Sequence, residues 1–221
     1  MEFIKFMGIQ ERREREKERR RQQIMVAAKR VFSIKGYSRT TMEDIAKHAE
    51  VSPATIYLYF KNKDELYASL SLRILQYMLV KIEHVTSEKD MDVIQRMNAL
   101  KEAMYDVYEF DPLILINMFH LQSGDTIKNL STELLSDIKN LSRKSLSAIS
   151  NIFKRGIDEG VFIENKPVAL SDILWAMFSG IVLWEESKKN INDGKNYLRQ
   201  TFDTAFEIFM RGITKKDELI M

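Results

Sequence analysis

Little in this chain can stop a helix. Its 221 residues include only eight glycines and three prolines, the residue types that break helices or set turns. Long uninterrupted helices are therefore open to it, and its apolar residues recur at the matching period. In IMVAAKRVF, Ile24, Ala27, Ala28, Val31 and Phe32 fall at i, i+3, i+4, i+7 and i+8, one face of an α-helix. Gly36 follows, where a left-handed C-cap residue belongs. Upstream, ERREREKERRR keeps the register, with Glu11–Arg15 and Glu16–Arg20 at i, i+4. It has no apolar face and is expected to fray.

In TTMEDIAKHA, Thr40 with Glu43, or Thr41 with Asp44, makes a capping box for a second helix that turns Ile45 and Ala46 inward. A short break at Glu50–Val51 leads to Ser52 as N-cap and Pro53 at the first position of a third helix. Asn62 with Glu65 opens a fourth, expected to reach about His84. Beyond residue 85 the strong patterns are again helical, with neither strand alternation nor an internal repeat. Breaks fall near Thr86–Asp90, Asp111–Pro112, Ser123–Asp125, Gly156–Pro167 and Asn190–Lys195. The expected architecture is all-α with about nine helices.

Composition narrows the function. The net charge of +2 hides an asymmetry: residues 1–66 hold 15 Lys and Arg against 10 Asp and Glu, the rest 19 against 22. A basic first third on a slightly acidic body points to a polyanionic partner. There is no cysteine, hence no disulfide or thiol chemistry, which suits a cytoplasmic protein. The opening MEFIKFMGIQERRERE has too short an apolar stretch for a secretory signal. The most apolar window, Val168 to Trp184, contains Asp172 and falls short of the roughly 20 residues of a membrane span, so a buried helix is expected and no membrane partner. KDEL at Lys216–Leu219 is not C-terminal, and the sequons at Asn129 and Asn140 mean nothing without secretion. No phosphate loop, HExxH or Cys–His pair is present. His48, His84 and His120 are scattered, with no carboxylate at metal-ligand spacing, so no catalytic residue, metal site or cofactor is expected.

The stretch VSPATIYLYFKNKDEL carries the sharpest signal. On a helical wheel begun at Pro53, Ile56 and Phe60 fall close together and join Val51 in a buried stripe. Ala54, Leu58 and Thr55 fall on the opposite side, with Tyr57 flanking it on one margin and Tyr59 on the other. The outward face is small at its centre, with a phenol at each margin. Such a helix fits a groove: Thr55 and Ala54 can touch base edges or thymine methyls, and flanking phenols can reach phosphates. A helix, a short turn and this helix make a helix-turn-helix. An αα-hairpin whose tyrosines merely coat a surface is the competing reading. Against it stand the basic lead-in, the Thr pair opening helix 2, and Lys61 and Lys63 at the N-terminus of helix 4, an anion-binding position.

Gly36 to Tyr67, GYSRTTMEDIAKHAEVSPATIYLYFKNKDELY, resembles the DNA-binding signature of TetR-family transcriptional regulators. Gly36, Thr41, Ile45, Ala46, Val51, Ser52, Thr55, Tyr57, Tyr59, Phe60, Lys63 and Leu66 carry the likeness. It implies a basic extension over 1–20, a helix-turn-helix domain over 21–66 and an effector-binding and dimerisation domain over 67–221. It implies that Thr41 binds phosphate, that Pro53, Ala54, Thr55, Leu58 and Tyr59 face the major groove, and that Tyr57 and Lys63 hold backbone phosphates. The chain departs from the pattern at two positions. Glu50 stands where the family often has Gly, placing a carboxylate in a left-handed turn at a cost of about 1 kcal/mol. Ala54 also stands where Gly is common, which favours the helix and supplies a methyl group for base contact.

Family members usually dimerise through their last two long helices. Here the corresponding stretches carry Leu170, Ile173, Leu174, Met177, Ile181 and Trp184, then Phe202, Phe206 and Phe209. The first is apolar nearly all round, so a partner subunit or the chain's own core must cover it. The usual effector is a small molecule among the middle helices. The candidates are Met97, Met104, Tyr105, Tyr108 and Met118, with Phe119, His120, Trp175 and Phe178. Met and aromatic walls adapt to apolar ligands, although the same stripe also serves as plain core.

The reading is a homodimeric repressor of a near-palindromic double-stranded DNA operator, released by a small apolar or aromatic effector. Its recognition helices are expected about 34–36 Å apart or somewhat more. The alternative is an architectural or constitutive DNA-binding regulator without effector. A small-molecule carrier or enzyme retaining a vestigial helix-turn-helix is a third class.

Overall fold

The computed structural model describes residues 2–123, 125–188 and 196–215, with side chains over 10–119, 127–188 and 196–215. Among them the chain forms nine α-helices: α1 Glu2–Lys35, α2 Met42–His48, α3 Pro53–Tyr57, α4 Lys63–Ser87, α5 Val93–Phe110, α6 Pro112–Ser123, α7 Thr132–Asp158, α8 Pro167–Lys188 and α9 Leu198–Ile213. A 3-10 turn, Asp125–Asn129, precedes α7, and no strand is found among the described residues. The all-α expectation holds. Each break signal before residue 168 coincides with a helix end, and the one at Asn190–Lys195 lies outside the described residues.

The chain folds as two compact units. The first comprises Met1–Leu70 with Asp125–Leu134, the second Ser71–Gly124 with Leu135–Met221. In the first, the stripe Ile24, Ala27, Ala28, Val31 and Phe32 is buried against α2, with Ile45, Ala46, Ile56, Phe60 and Leu66 completing the core. Gly36 ends α1 at φ 73° and donates its N–H to the Phe32 carbonyl at 2.8 Å. Only a residue without Cβ takes that conformation freely. Tyr37 then folds back onto Tyr67 and Phe32, with ring centroids at 4.5 and 5.9 Å.

The second unit buries Met97, Leu100 and Met104 of α5, Leu115, Met118 and Phe119 of α6, Phe153 of α7, and Phe178 and Phe202 of α8 and α9. The break after α7 is fixed by a close approach: a Cβ on Gly156 would lie 2.2 Å from the Phe162 ring. Phe162 then makes a one-residue bridge to Thr214 beside α9, held by Ile163 N–H to Ile213 O at 2.8 Å and Lys215 N–H to Val161 O at 3.0 Å. Arg96 is buried and caps α4, donating to the Val85 and Thr86 carbonyls at 2.9 and 3.0 Å and to the Glu88 carbonyl. The C-terminal end of a helix dipole is a stable place for such a cation.

α8 is long and apolar enough to cross a membrane by length and composition, yet only 28% of its apolar window is buried within the chain. The expected buried helix is thus buried on one face only, through Leu170, Leu174, Phe178 and Val182. Ile173 and Trp184 are exposed on another.

Candidate nucleic-acid interface

Both short helices of the first unit are opened by a side chain that the sequence supplies. Of the two capping boxes considered for α2, the structure forms Thr41 with Asp44: the Thr41 hydroxyl accepts from Asp44 N–H, and the Asp44 carboxylate accepts from Thr41 N–H, each at 3.1 Å. Thr40 is buried and donates its hydroxyl to the Gly36 carbonyl instead. The Lys35 ammonium reaches Asp44 at 2.5 Å and, with the Thr41 N–H, holds that carboxyl below the ordinary range. Thr41→Ala is therefore expected to lower stability by about 1 kcal/mol through loss of the cap, read as a fall in Tm.

The turn between α2 and α3 places Glu50 at φ 55°, the left-handed conformation expected of that position. Ser52 then caps α3, accepting from Thr55 N–H at 3.1 Å, with its hydroxyl 2.8 Å from the Thr55 hydroxyl. α3 is shorter than its pattern implies. It ends at Tyr57, with Leu58 as C-cap, so a helical wheel does not extend to Tyr59 or Phe60. Phe60 still closes the core, because its N–H donates to the Ile56 carbonyl at 3.0 Å and so carries the chain through one further turn.

The exposed face of this segment is Pro53, Ala54, Tyr57 and Leu58, whereas Thr55 and Tyr59 are half-buried. Leu58, 79% exposed, is the most open large apolar residue there and lies beside Tyr57 at 51%. Leu58 and Tyr57 thus stand further out than Thr55, which the wheel turns toward base edges, and Tyr59, which the resemblance turns toward the groove. The candidate positions Thr41, Pro53, Ala54, Tyr57 and Leu58 all offer exposed surface on one compact unit.

Lys63 is more committed than its sequence position suggests. Its ammonium donates to the Tyr37 and Thr40 carbonyls, both at 3.0 Å, and sits 4.4 Å from the Tyr37 ring centroid. Beside it, Asp64 accepts from the Tyr37 hydroxyl and, at 2.7 Å, from the Asn129 amide. Asn62 returns a bond to the Asn129 carbonyl at 3.3 Å. Lys61, Lys63 and Lys128 line a polar concavity of about 520 Å³ here. The part played by Asn129 has no signal in the sequence, since a short 3-10 turn has no periodicity and its contacts lie 65 residues away along the chain.

In the second unit, the residues expected to line an effector site are mostly buried. Met97, Met104, Met118 and Phe178 are at most 2% exposed, and Tyr108 and Phe119 are buried as well. Tyr105 is half-buried and lies 4.2 Å from the Arg199 guanidinium. Phe119, Trp175, Phe178 and Phe202 form one cluster of rings with centroids 5.1–6.4 Å apart. The side chain of His120 lies outside the described residues. A cavity of about 420 Å³ opens instead between α5 and α9, on a floor of Ile94, Phe206 and Met210 with Lys101, Asp203 and Arg211 at its rim. None of the expected effector residues lines it. The buried ones sit on the inward faces of their helices.

The residues expected at a dimer interface divide in the same way. Leu170, Leu174, Phe202 and Phe206 are buried inside the chain and have no surface to offer a second copy. Ile173 and Trp184 are exposed at 51% and 59%, and Met177, Ile181 and Phe209 are half-buried. Ile208 is 67% exposed and escapes the sequence argument, because its neighbours Phe206 and Phe209 dominate the apolar face of α9.

Known proteins resemble this chain along most of its length. Residues 24–70 match the family model of bacterial regulatory proteins of the tetR family, and residues 116–215 that of the QacR-like protein C-terminal region. An uncharacterized HTH-type transcriptional regulator of Haemophilus influenzae is 32% identical over 109 residues, 49% of this chain and 58% of that protein. The chain thus spans less than two thirds of that relative. The fatty acid metabolism regulator protein of Bacillus subtilis is 26% identical over 205 residues, 88% of this chain and 95% of that protein. The crystal structure of the TetR family transcriptional regulator PfmR from Thermus thermophilus shares the fold, with a TM-score of 0.69 at 21% identity over 85% of this chain and 97% of that one.

Proposed function

The chain belongs to the TetR family of bacterial regulatory proteins, and from that premise we propose that it is a cytoplasmic transcriptional repressor that binds a near-palindromic operator as a homodimer and is released by a small apolar effector. The observation that carries the DNA-binding part is the exposed face of α3. A well-capped helix turns Pro53, Ala54, Tyr57 and Leu58 to solvent while Ile56 anchors it at 0% exposure. Burying the anchor while leaving small and phenolic groups outside suits insertion into a major groove. For the dimer, the support is the exposed apolar residues Ile173 and Trp184 on α8 and Ile208 on α9, two helices that pack on each other.

Selection from a randomised duplex library tests the reading. The expected result is one near-palindromic sequence, bound with a steep salt dependence. Failure to enrich any sequence would remove the regulator assignment. Lys63→Ala refines it. Two of the three ammonium protons hold carbonyls within the unit, which leaves one for a phosphate. The variant is expected to lose about 1–3 kcal/mol of stability from the lost charged hydrogen bonds. The slope of log K against log salt should also fall by about one per subunit. An unchanged slope with a lowered Tm would make Lys63 purely structural.

A regulator without effector is the second reading, favoured by the packing of the Phe119, Trp175 and Phe178 rings on one another. A thermal-shift screen separates the two. Long-chain fatty acids are the first apolar probes, because the Bacillus subtilis relative is a regulator of fatty acid metabolism. A ligand that raises Tm and weakens DNA binding supports the effector, because the coupling is reciprocal.

A further inference from the structure

The core stripe of α1 begins at Ile24, yet the helix starts at Glu2. Residues 10–19 are exposed on every side. A helix polar all round has no packing to hold it and draws only on weak local side-chain pairs. Those pairs are Lys17 with Glu14 at 3.9 Å, Arg19 with Glu16 at 3.4 Å and Gln22 with Glu18 at 2.7 Å. The expected Glu11–Arg15 and Glu16–Arg20 pairs are not formed, and among the described residues Arg12, Arg13 and Arg15 have no partner. Arg20 and Arg21 have uncharged ones, Gln23 at 3.0 Å and Ser69 at 3.4 Å.

The charges are also sorted by face. At about 100° per residue, Glu11, Glu14 and Glu18 fall within an arc of about 60°, whereas Arg12, Arg13, Arg15, Arg19 and Arg20 spread over about 160° of the remaining circumference. Glu16, the one carboxylate inside that basic arc, is neutralised by Arg19. The root of this arm lies at the turn leading to the recognition helix. Gln23 donates to the Ala49 carbonyl at 2.8 Å, one residue before Glu50, and the Arg21 guanidinium lies 5.2 Å from the Phe60 ring, just beyond α3.

We propose that the N-terminal part of α1 is a helical arm whose basic face, led by Arg12, Arg13 and Arg15, binds the phosphates of duplex DNA flanking the operator. The proposal rests on the DNA-binding reading and extends it beyond the helix-turn-helix. The arm's partner is a polyanion because its unpaired groups are guanidiniums, and a duplex because the root adjoins the segment that enters the groove. Residues 12–20 span about 13 Å, the length of roughly four base pairs. The contact reads no sequence, since phosphates carry none.

The test uses the duplex selected by the full chain, either trimmed to the selected bases or carrying eight further base pairs of arbitrary sequence on each side. Wild type is expected to bind the longer duplex about tenfold or more tightly at low salt, with a salt slope steeper by about 2 to 3 per subunit. The triple variant Arg12→Gln, Arg13→Gln, Arg15→Gln keeps a good helix former at each position. It is expected to bind the short duplex as wild type does and to lose the gain on the long one. Equal wild-type affinity and slope on both duplexes overturns the arm, while binding to the short one preserves the operator reading. Equal weakening of the variant on both duplexes also overturns it, by placing the arginines inside the core contact. If the variant lowers the mass measured by light scattering, the arm binds a second copy of the chain and the proposal falls. If the full chain selects no duplex, the DNA-binding reading fails and the arm with it.

Discussion

Phe206→Glu will leave the chain unfolded, whereas Ile208→Glu will leave it folded and monomeric. The two residues are two positions apart on α9, and sequence patterning alone would rank Phe206 as the better interface residue. Phe206 is 3% exposed and packs against Phe202, with ring centroids 6.2 Å apart. Truncating such a ring costs about 3–5 kcal/mol, and burying a carboxylate in its place adds more, since the nearby Lys101, 5.9 Å from the ring, is already paired with Asp203. That sum reaches the roughly 5–15 kcal/mol by which a domain is typically stable. Ile208 is 67% exposed in the single chain. A carboxylate there costs the monomer little, but in a four-helix contact it would be buried against apolar surface of a second copy. Light scattering with circular dichroism checks both. A wild-type monomer, or an Ile208→Glu dimer, would remove this face of α8 and α9 from the interface. A folded Phe206→Glu variant would contradict its burial.

Ala54→Glu will abolish operator binding without unfolding the protein. Ala54 lies in the first turn of α3 and is exposed. Glutamate is a good helix former and is favoured near a helix N-terminus, so stability should change by less than about 0.5 kcal/mol. In the complex, the carboxylate would enter a groove walled by phosphates. Like-charge juxtaposition at an interface costs several kcal/mol, and every ~1.4 kcal/mol is about tenfold in Kd, so a loss of more than about 100-fold is expected. Ala54→Gly, which carries no charge, should retain binding within about tenfold, its cost being the lower helix propensity of glycine. Fluorescence anisotropy on the selected duplex reads both, with Tm as the folding control. Full binding by Ala54→Glu would place α3 outside the groove.

The legible parts of this protein are those set by local chemistry. The Thr41–Asp44 box, Ser52 and Pro53 opening α3, and the Gly36 stop each depend on residues no more than four apart, and each forms as its pattern implies, whereas the left-handed Glu50 was implied by the family resemblance. Helix existence and order followed from the 3.6-residue period and the scarcity of Gly and Pro. Where two local options competed, as with Thr40 and Thr41, burial decided, since Thr40 is drawn into the core. The end of α3 at Tyr57 was less legible because apolar spacing continues to Phe60 while the backbone does not.

By itself, the sequence determined an all-α chain, a helix-turn-helix with a capped third helix, and a basic lead-in before it. Periodicity and capping are properties of a helix and its nearest turns, so a linear string contains them. Only the tertiary structure decided which apolar face of each long helix is already covered. α8 is apolar nearly all round, so periodicity cannot separate Leu174, buried against its own chain, from Ile173, which is exposed. The same holds for Met97 and Met104, which are buried, and for the cavity between α5 and α9. Burial depends on which helices meet and at what register. That is a matter of contacts distant in sequence, which no local pattern records.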